Sequence, residues 1–403
     1  MSSPILSLLT NKKEGKHEKR LKNTKHQSFQ IQNKKPKKRR KIMKSMFMKG
    51  FAIALAVALV VSFMTPTNIW AAKKTKFILA GSIYAGWMPW YYANQSGILK
   101  KWANKYGIQI EFRHMDYIPS VVAFVAKRAD ACVMTNMEAL DMPAAAGVST
   151  TVIILGDFSN GNDAGLGREG CETIQQWKGK EVYLVEFSVS HYSVVRILEE
   201  NGMKESDIKI VNVSDSDIAP AFIANTSQKA VVTWNPLVME ILQEPGITKV
   251  FDSSEIPGEI LDLCVVRTEV LEDNPDFAEA LTGAWYEVMG IMSKRGSTAD
   301  NAMESMAESA GCSLTEYKNQ LKTTMMYYTP ESAAEYMSSA EVRKNMDYVR
   351  NFCFKHNLLG ENASSVDEVG IQYPDGTVQG DRNNIQFIFD ASFMRKAAEG
   401  KLK

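Results

Sequence analysis

The stretch KFILAGSIYAGWMPWYYANQSGILKKWANKYGIQIEF, residues 76–112, decides the fold class of this chain. It opens with a short apolar run at 76–80 that predicts a strand. A helix is predicted over 89–95, with Pro89 in its first turn. The segment GIQIEF at 107–112 alternates apolar and polar residues, which is the period of a half-buried strand. Strand, helix and strand in this order indicate the beginning of a parallel sheet with crossover helices.

The same alternation continues along the chain in two successive series. It predicts helices at 118–128, 191–202 and 217–225, and strands at 131–134, 150–155, 181–186, 208–213 and 230–234. Between the series, the polar stretch GDFSNGNDAGLGREG at 156–170 is expected to form a flexible connection. The chain then returns as a strand within 258–271, and from Pro275 it becomes helix-rich, with an apolar helical stripe over 274–294. We therefore predict an α/β fold with two lobes.

The net charge of +1 hides an uneven distribution of charged residues. Residues 1–49 contain 16 Lys and Arg but only two acidic residues, so this segment carries +14 and the remainder −13. The apolar run FAIALAVALVVSFM at 51–64 follows the basic segment and precedes Ala71 and Ala72. A basic start, an apolar core and a small-residue exit are the layout of a secretory signal peptide.

We therefore expect a basic extension at 1–45 outside the fold, a signal peptide at 46–72, and a periplasmic protein that begins at Lys73. A membrane anchor is the alternative, but the apolar run is shorter than the roughly 18 to 20 residues that span a bilayer. The basic block NKKPKKRRK at 33–41 resembles a nucleic-acid patch. Because it stands directly before the signal peptide, we expect no nucleic-acid partner.

The catalytic and cofactor motifs in the sequence are weak. GLGREG at 165–170 fits G-x-G-x-x-G, but a dinucleotide fold needs these glycines directly after a strand, and nine residues intervene here. The five cysteines form no CxxC pair, and the three histidines after residue 72 show no paired metal spacing. Ser188, Ser190 and His191 stand together without a G-x-S-x-G elbow. We therefore predict no cofactor, no metal and no catalytic residue, and the chain is interpreted as a protein that is not an enzyme.

Aromatic and polar residues follow the carboxyl ends of several predicted strands. Ligands bind at this edge of an open α/β sheet. We therefore predict a ligand-binding site formed by Tyr84, Trp87, Trp90, Asn136, Glu138, Asp157, Asn160, Asp163, Glu186, Ser188, Ser190, His191, Trp234 and Asn235.

Some of these residues also have a purely structural interpretation. The T-x-x-E pattern at 135–138 predicts a capping box in which Glu138 bonds the Thr135 amide. Ser190 is expected to cap the next helix. The tryptophans of 84–92 are expected to form one wall of the cleft with the tyrosines at 91 and 92 packed beneath them. The alternative is that all the rings of this stretch belong to the core.

Four segments, in this order and spacing, resemble periplasmic substrate-binding proteins of ABC transporters of the nitrate, sulfonate and taurine type. They are GWMPWYYANQSGILKK (86–101), FVAKRADACVMTNMEAL (124–140), IQQWKGKEVYLVEFSVSHYSV (174–194) and VVTWNP (231–236). The resemblance implies a type II periplasmic binding protein fold, with a ligand cleft between two lobes and a helix-rich C-terminal part. By analogy, one lobe would comprise 73–165 and the returning part 259–403, and the other lobe 166–258. The implied partners are a small-molecule solute and membrane permease subunits, and the implied state is a monomer.

The predicted site residues depart from an anion-binding site. A sulfonate or nitrate site should offer Arg, Lys or helix N-termini, whereas these loops offer carboxylates and indole rings, which favour N–H donors and cations. We therefore predict a small nitrogen-rich solute of the urea, guanidine, amide or amidine kind, as in a branch of the family that resembles urea-type transporters. The alternatives are a sulfonate, taurine or nitrate-binding protein, or a pyrimidine-binding protein related to thiamine precursor uptake or synthesis.

Overall fold

The computed structural model describes residues 74–360 and 362–402. The predicted basic extension and signal peptide therefore lie outside the described residues. Within the described part, no helix has both the length and the apolar character needed to cross a membrane.

The strands alternate with helices in the first two thirds of the described chain. The strands are β1 Lys76–Gly81, β2 Gln109–His114, β3 Ala131–Thr135, β4 Thr150–Ser159, β5 Asp163–Gly167, β6 Glu181–Leu184, β7 Lys209–Asn212, β8 Ala230–Trp234, β9 Thr248–Asp252, β10 Leu261–Arg267, β11 Thr324–Met326, β12 Gly370–Gln372, β13 Val378–Gln379 and β14 Ile385–Phe389.

The helices become dominant after β10, as the sequence predicts. They are α1 Met88–Gln95, α2 Ile98–Lys105, α3 Tyr117–Val125, α4 Asn136–Ala139, α5 Val189–Glu200, α6 Asp215–Ala224, α7 Leu237–Ile241, α8 Thr268–Asp273, α9 Pro275–Met292, α10 Ser297–Ser309, α11 Leu314–Leu321, α12 Pro330–Met337, α13 Ala340–Lys355 and α14 Ser392–Ala398. A π-helical turn at Leu140–Ala144 extends α4.

Two sheets organise the described chain. The first has nine strands in the order β13-β12-β14-β4-β10-β3-β1-β2, with β11 added beside β4, and the second has five in the order β7-β6-β8-β5-β9. In the first sheet β1 is parallel to both β2 and β3, whereas β10 returns antiparallel between β3 and β4. This confirms the predicted α/β class, the parallel start at β1 and the returning strand within 258–271.

The apolar stripe predicted over 274–294 is confirmed as core packing. Phe277, Leu281, Trp285 and Val288 on α9 are all buried. The ring of Phe277 stacks on Phe77 of β1, with ring centroids 4.4 Å apart. Helix α9 therefore covers the first sheet and supports the strand whose end reaches the candidate site.

The prediction of a flexible connection at 156–170 is wrong. This stretch forms the end of β4 and all of β5, and β5 is buried along its whole length. A Cβ at Gly165 would overlap the ring of Phe251, and one at Gly167 would overlap the backbone carbonyl of Cys171. The glycines of GLGREG therefore allow close packing within a strand, a role that composition alone does not separate from a loop.

Candidate functional site

A small cavity lies between the two sheets, where strands from both sheets end. It offers about 20 Å³ to the centres of water molecules, which is enough for about one water molecule. We call this space the inner cavity. Its walls are formed by Tyr84, Trp87, Tyr117, Thr135, Asp163, Val189, Trp234, Ile260 and Asp262.

The register of the strands brings acidic side chains to this cavity. Strand β10 runs antiparallel to its neighbours, and Asp262 near its start lies opposite Thr135 on β3 and Asp157 on β4. In the second sheet β5 is antiparallel to β8, which places Asp163 opposite Trp234. The first residues of β5 and β10 therefore lie beside the last residues of β8 and β3, at the sheet edges that face the inner cavity.

Three of the carboxyl groups near the cavity have pKa values raised by burial. Asp157, Asp163 and Asp262 are each at most 2% exposed. Burial raises the pKa of Asp157 and that of Asp163 to about 7. Burial and then the charge of Asp157 raise the pKa of Asp262 well above its usual range. Asp157 accepts a hydrogen bond from the Tyr84 hydroxyl (3.2 Å) and Asp163 accepts one from the Ser159 hydroxyl (2.5 Å).

Glu138 is a further buried carboxyl group beside the cavity, and burial raises its pKa. It accepts hydrogen bonds from the Thr135 hydroxyl and from the Val189 backbone N–H (3.2 Å). The Thr135 N–H donates instead to the Tyr117 hydroxyl (3.0 Å). The predicted capping box is therefore wrong, because Tyr117 occupies the amide that Glu138 was expected to bond.

Four aromatic rings form a continuous wall of the inner cavity. The ring centroids of Tyr84 and Trp87 are 5.0 Å apart, those of Trp87 and Tyr117 5.4 Å, and those of Tyr117 and Trp234 6.0 Å. Trp87 is 5% exposed, and its Nε1–H has no hydrogen-bond partner among the described residues. The wall thus combines four aromatic rings with one unused N–H donor.

Hydrogen bonds between elements of the two sheets close the cavity. Each of these bonds connects a residue at or after a strand of the first sheet to a residue at or after a strand of the second sheet. They run from Trp234 Nε1–H to the Ile83 carbonyl (3.4 Å), from the Tyr117 N–H to Asp215 Oδ2 (3.0 Å), and from the Val189 N–H to Glu138 Oε1 (3.2 Å). Since these bonds cross the cavity boundary, opening the site requires breaking them.

A larger open groove of about 670 Å³ adjoins the inner cavity. We call it the outer groove. Trp234 lines both spaces. Among the described residues that line the outer groove, the charged or titratable ones include four carboxylates but no Lys or Arg. The carboxylates are Asp116, Asp215, Glu240 and Glu316.

The structure brings six of the predicted site residues together. Tyr84, Trp87, Asp163 and Trp234 line the inner cavity, and Asp157 and Glu138 bond to residues that line it. Trp90 instead packs on Trp285 of α9, with ring centroids 5.0 Å apart, and is 1% exposed. Tyr84 and Trp87 are buried in the same core as Trp90, but they also line the inner cavity, so their role in a cleft wall stays a prediction.

The other predicted residues line neither the inner cavity nor the outer groove. Asn136 bridges two backbone groups, donating to the Glu259 carbonyl and accepting from the Leu261 N–H, both at 3.0 Å. Asn235 accepts the Met239 N–H (3.2 Å). The remaining members are Asn160, Glu186, Ser188, Ser190 and His191. The expectation that Ser190 caps α5 is wrong, since Ser188 is the N-cap and accepts the Ser190 N–H.

His191 belongs to a separate cluster whose spacing could hold a metal ion. Its Nε2 lies 3.1 Å from Glu205, and His356 Nε2 lies 3.1 Å from the other oxygen of the same carboxylate. The Phe187 N–H donates to His191 Nδ1 (3.3 Å). A neutral His191 therefore carries its proton on Nε2, the atom that would have to bind the metal, and the geometry favours hydrogen bonding to Glu205 over coordination.

Five residues that line the inner cavity were not predicted from the sequence. They are Tyr117, Thr135, Val189, Ile260 and Asp262. Tyr117 follows β2 and could have been found by the same strand-end rule as the others. Asp262 carries a different signal, because an acidic residue inside the apolar run of a predicted strand is rarely buried without a reason.

Comparison with known proteins identifies relatives of parts of this chain. Residues 165–295 match the family described as "NMT1/THI5 like". The taurine-binding periplasmic protein of Escherichia coli (strain K12) is 26% identical over 182 residues, which cover 44% of this chain and 56% of that protein. The chain thus spans little more than half the length of this curated relative.

Solved structures resemble a larger part of the chain. The alkanesulfonate-binding protein SsuA from Xanthomonas axonopodis pv. citri, bound to MOPS, superposes with a TM-score of 0.59 at 15% identity, covering 72% of this chain and 96% of that one. The desulfurization enzyme DSZB superposes with a TM-score of 0.54 at 12% identity, covering 80% of this chain and 99% of that one. At these identities the likeness establishes the fold alone. The chain therefore has the predicted two-lobed fold of periplasmic binding proteins, and its sequence matches support the nitrate, sulfonate and taurine family.

Proposed function

We propose that this chain is the extracytoplasmic solute-binding component of an ABC importer. In this function it captures a small nitrogen-rich solute, of the urea, guanidine, amide or amidine kind, and delivers it to permease subunits in the membrane. The chain would act in the periplasm as a monomer after loss of its signal peptide, and it would bind its solute without chemical conversion.

One observation supports this proposal most directly. The inner cavity lies between the sheets and combines the rings of Tyr84, Trp87, Tyr117 and Trp234 with acceptor groups on Asp163 and Asp262. Flat N–H-bearing solutes stack on ring faces and donate to carboxylates. Among these solutes, urea and amides would also offer a carbonyl oxygen to the unused Trp87 N–H, whereas guanidinium and amidinium ions carry donors only.

Hinge closure is the proposed mode of capture. The lobes would comprise 73–165 with 259–403, and 166–258, except that the whole of β5, Asp163–Gly167, goes with the second lobe because it pairs within the second sheet. In the described structure the inner cavity is too small for any of these solutes, so the lobes must separate before one enters. The interlobe bonds of Tyr117, Val189 and Trp234 would then break and re-form around it. Such closure needs no covalent step.

A sulfonate, taurine or nitrate solute is the second candidate. The taurine-binding relative favours it, although only 44% of this chain takes part in that match. Taurine carries an ammonium group as well as a sulfonate, so the carboxyl groups could hold one end of it. The residues that line the inner cavity, however, include no Arg or Lys for the sulfonate.

A thermal-shift and tryptophan-fluorescence screen of the purified protein tests this function. The solutes are urea, guanidine, acetamide, acetamidine, taurine, alkylsulfonates, nitrate and pyrimidines, each at low millimolar concentration. We expect a saturable rise in melting temperature with one solute class, because a ligand that binds only the folded state stabilises it. The fluorescence should change with the same midpoint, since two tryptophans line the cavity.

Product analysis after prolonged incubation separates binding from catalysis. Recovery of the unchanged solute is the expected result. Turnover of the bound compound would assign an enzymatic function instead, and a complete lack of saturable binding across all solutes would refute the binding-protein proposal.

A further inference from the structure

We propose that the solute is a cation, and that the inner cavity and the outer groove together select for positive charge. This inference rests on the proposed function and narrows its solute class. The inference distinguishes two groups of solutes of similar shape. Guanidinium and amidinium ions are positively charged near neutral pH, whereas urea and amides are uncharged.

The first supporting observation is the composition of the inner cavity. Asp163 and Asp262 line it, and Asp157 and Glu138 lie directly behind these walls. No Lys, Arg or His is among the described residues that line it. A buried carboxylate is costly unless it is paired with a positive charge, and the described chain offers no such charge at these walls. A cationic solute would supply it.

The aromatic wall is a second and independent observation. Ring faces attract cations most strongly where water is excluded, and Tyr84, Trp87 and Trp234 are each at most 6% exposed. Adjacent centroids along the wall lie 5.0 to 6.0 Å apart, so a small cation could contact more than one ring. An uncharged isostere gains ring stacking but not this electrostatic attraction.

The outer groove supplies the third observation. Its described lining includes the carboxylates Asp116, Asp215, Glu240 and Glu316 together with His114, but no Lys or Arg, and Trp234 lines both it and the inner cavity. A cleft lined by one sign of charge raises the local concentration of oppositely charged solutes. The acidic groove would therefore attract cations toward the inner cavity and repel anions.

Charge neutrality predicts that protons leave when the cation binds. The carboxyl groups of Asp157 and Asp262 interact across adjacent strands. Each keeps one oxygen without a hydrogen-bond donor among the described residues, as expected if a proton is shared between them. The titratable groups that face the pair are Tyr84 and Asp163. A cation bound in the cavity beside Asp262 takes over the role of that proton, which is released to solvent.

The test compares two isosteric pairs by isothermal titration calorimetry on the full protein. Acetamidine and guanidine are cations at pH 7, whereas acetamide and urea have the same heavy-atom skeletons without charge. We expect each cation to bind at least about 100-fold more tightly than its neutral partner. Repeating the titration in two buffers of different ionisation enthalpy measures proton release, which should be a substantial fraction of one proton per acetamidine.

Variants assign the charge selectivity to the cavity. Asp262→Asn should reduce acetamidine affinity at least about 30-fold and change acetamide affinity less than about threefold, because it removes charge but keeps shape. Asp300→Asn on α10, outside both the cavity and the groove, is the matched control and should leave both affinities unchanged. Circular dichroism checks that each variant is folded.

The outcomes distinguish this inference from the proposed function. Equal or tighter binding of the neutral partners overturns the cation inference and leaves the binding function intact, and so does binding of taurine, alkylsulfonates or nitrate alone. Cation binding that Asp262→Asn does not weaken also overturns it, since the charge would then be recognised elsewhere. Failure of every solute to bind refutes both.

Discussion

Replacing Asp163 with Asn should stabilise the empty protein, although it removes a charged group from the proposed solute site. Burial raises the Asp163 pKa from 3.8 to about 7. Consider a carboxyl group whose pKa is higher in the folded state than in the unfolded state. Its contribution to stability is complete only at pH values below the unfolded-state pKa. That contribution is lost as the pH rises through the folded pKa. At neutral pH, therefore, the ionisable group at position 163 works against folding.

The magnitude follows from the size of the pKa shift. A shift of about three units at 1.36 kcal/mol per unit corresponds to about 4 kcal/mol at pH 7 and above. Because Asn is a weaker acceptor for the Ser159 hydroxyl than a carboxylate, the substitution also loses about 1 kcal/mol of this stabilisation. We therefore expect a net stabilisation of about 3 kcal/mol at pH 7 and about 1 kcal/mol or less at pH 5.

Differential scanning calorimetry without denaturant is the appropriate assay, because urea and guanidinium are themselves candidate ligands. For a domain of about 330 residues, 3 kcal/mol corresponds to a rise in melting temperature of about 4 °C at pH 7. Asp300→Asn serves as a surface control that should change the melting temperature by less than about 1 °C. A lower melting temperature for Asp163→Asn, or a gain that is the same at pH 5 and pH 7, would refute the electrostatic reasoning.

Three further predictions concern packing and ion pairing, and calorimetry with solute titration tests them. Gly167→Ala should lower the free energy of unfolding by more than about 3 kcal/mol, because the added Cβ would overlap the Cys171 backbone carbonyl. A melting temperature within 1 °C of the wild type would contradict this. Glu259→Gln should lower the free energy of unfolding by about 1 to 2 kcal/mol, since it removes the carboxylate that Arg196 bonds at 2.9 and 3.1 Å but leaves the pairs of Arg196 with Glu199 and Glu200; a neutral effect would show that the Glu259 pair contributes little. Trp90→Ala and Trp87→Ala should each lower the free energy of unfolding by about 3 to 5 kcal/mol, because both rings are buried, and only Trp87→Ala should also weaken solute binding; weaker binding in Trp90→Ala alone would exchange their roles.

The fold could be predicted from local patterns where those patterns were clear. The apolar run at the start of β1, the alternation in β2 and the stripe on α9 each follow from the period of the element. Strand β5 could not be predicted in this way. Its glycines are required because the Phe251 ring and the Cys171 carbonyl leave no room for a side chain. Those neighbours lie on other segments, and their approach is a tertiary property.

The candidate site was predicted in part for the same reason. Residues that directly follow a strand, such as Trp87, or that end one, such as Trp234, could be placed at the sheet edge by position. Position alone could not separate Trp87 from Trp90, which lies only three residues further along the chain and packs against α9. Asp262 came from the start of a returning antiparallel strand, and its place beside Asp157 depended on a strand order that the sequence does not show.

The position of β4 in the first sheet has a consequence for how the chain folds. Thr150 on β4 lies opposite Arg267 of β10 on one side and Phe387 of β14 on the other. Both partners are synthesised long after β4, and contacts between residues so distant in sequence form slowly. Until residues 385–389 are available, one edge of β4 stays open to pairing with another chain, so removing even this short C-terminal strand would leave the first lobe prone to aggregation.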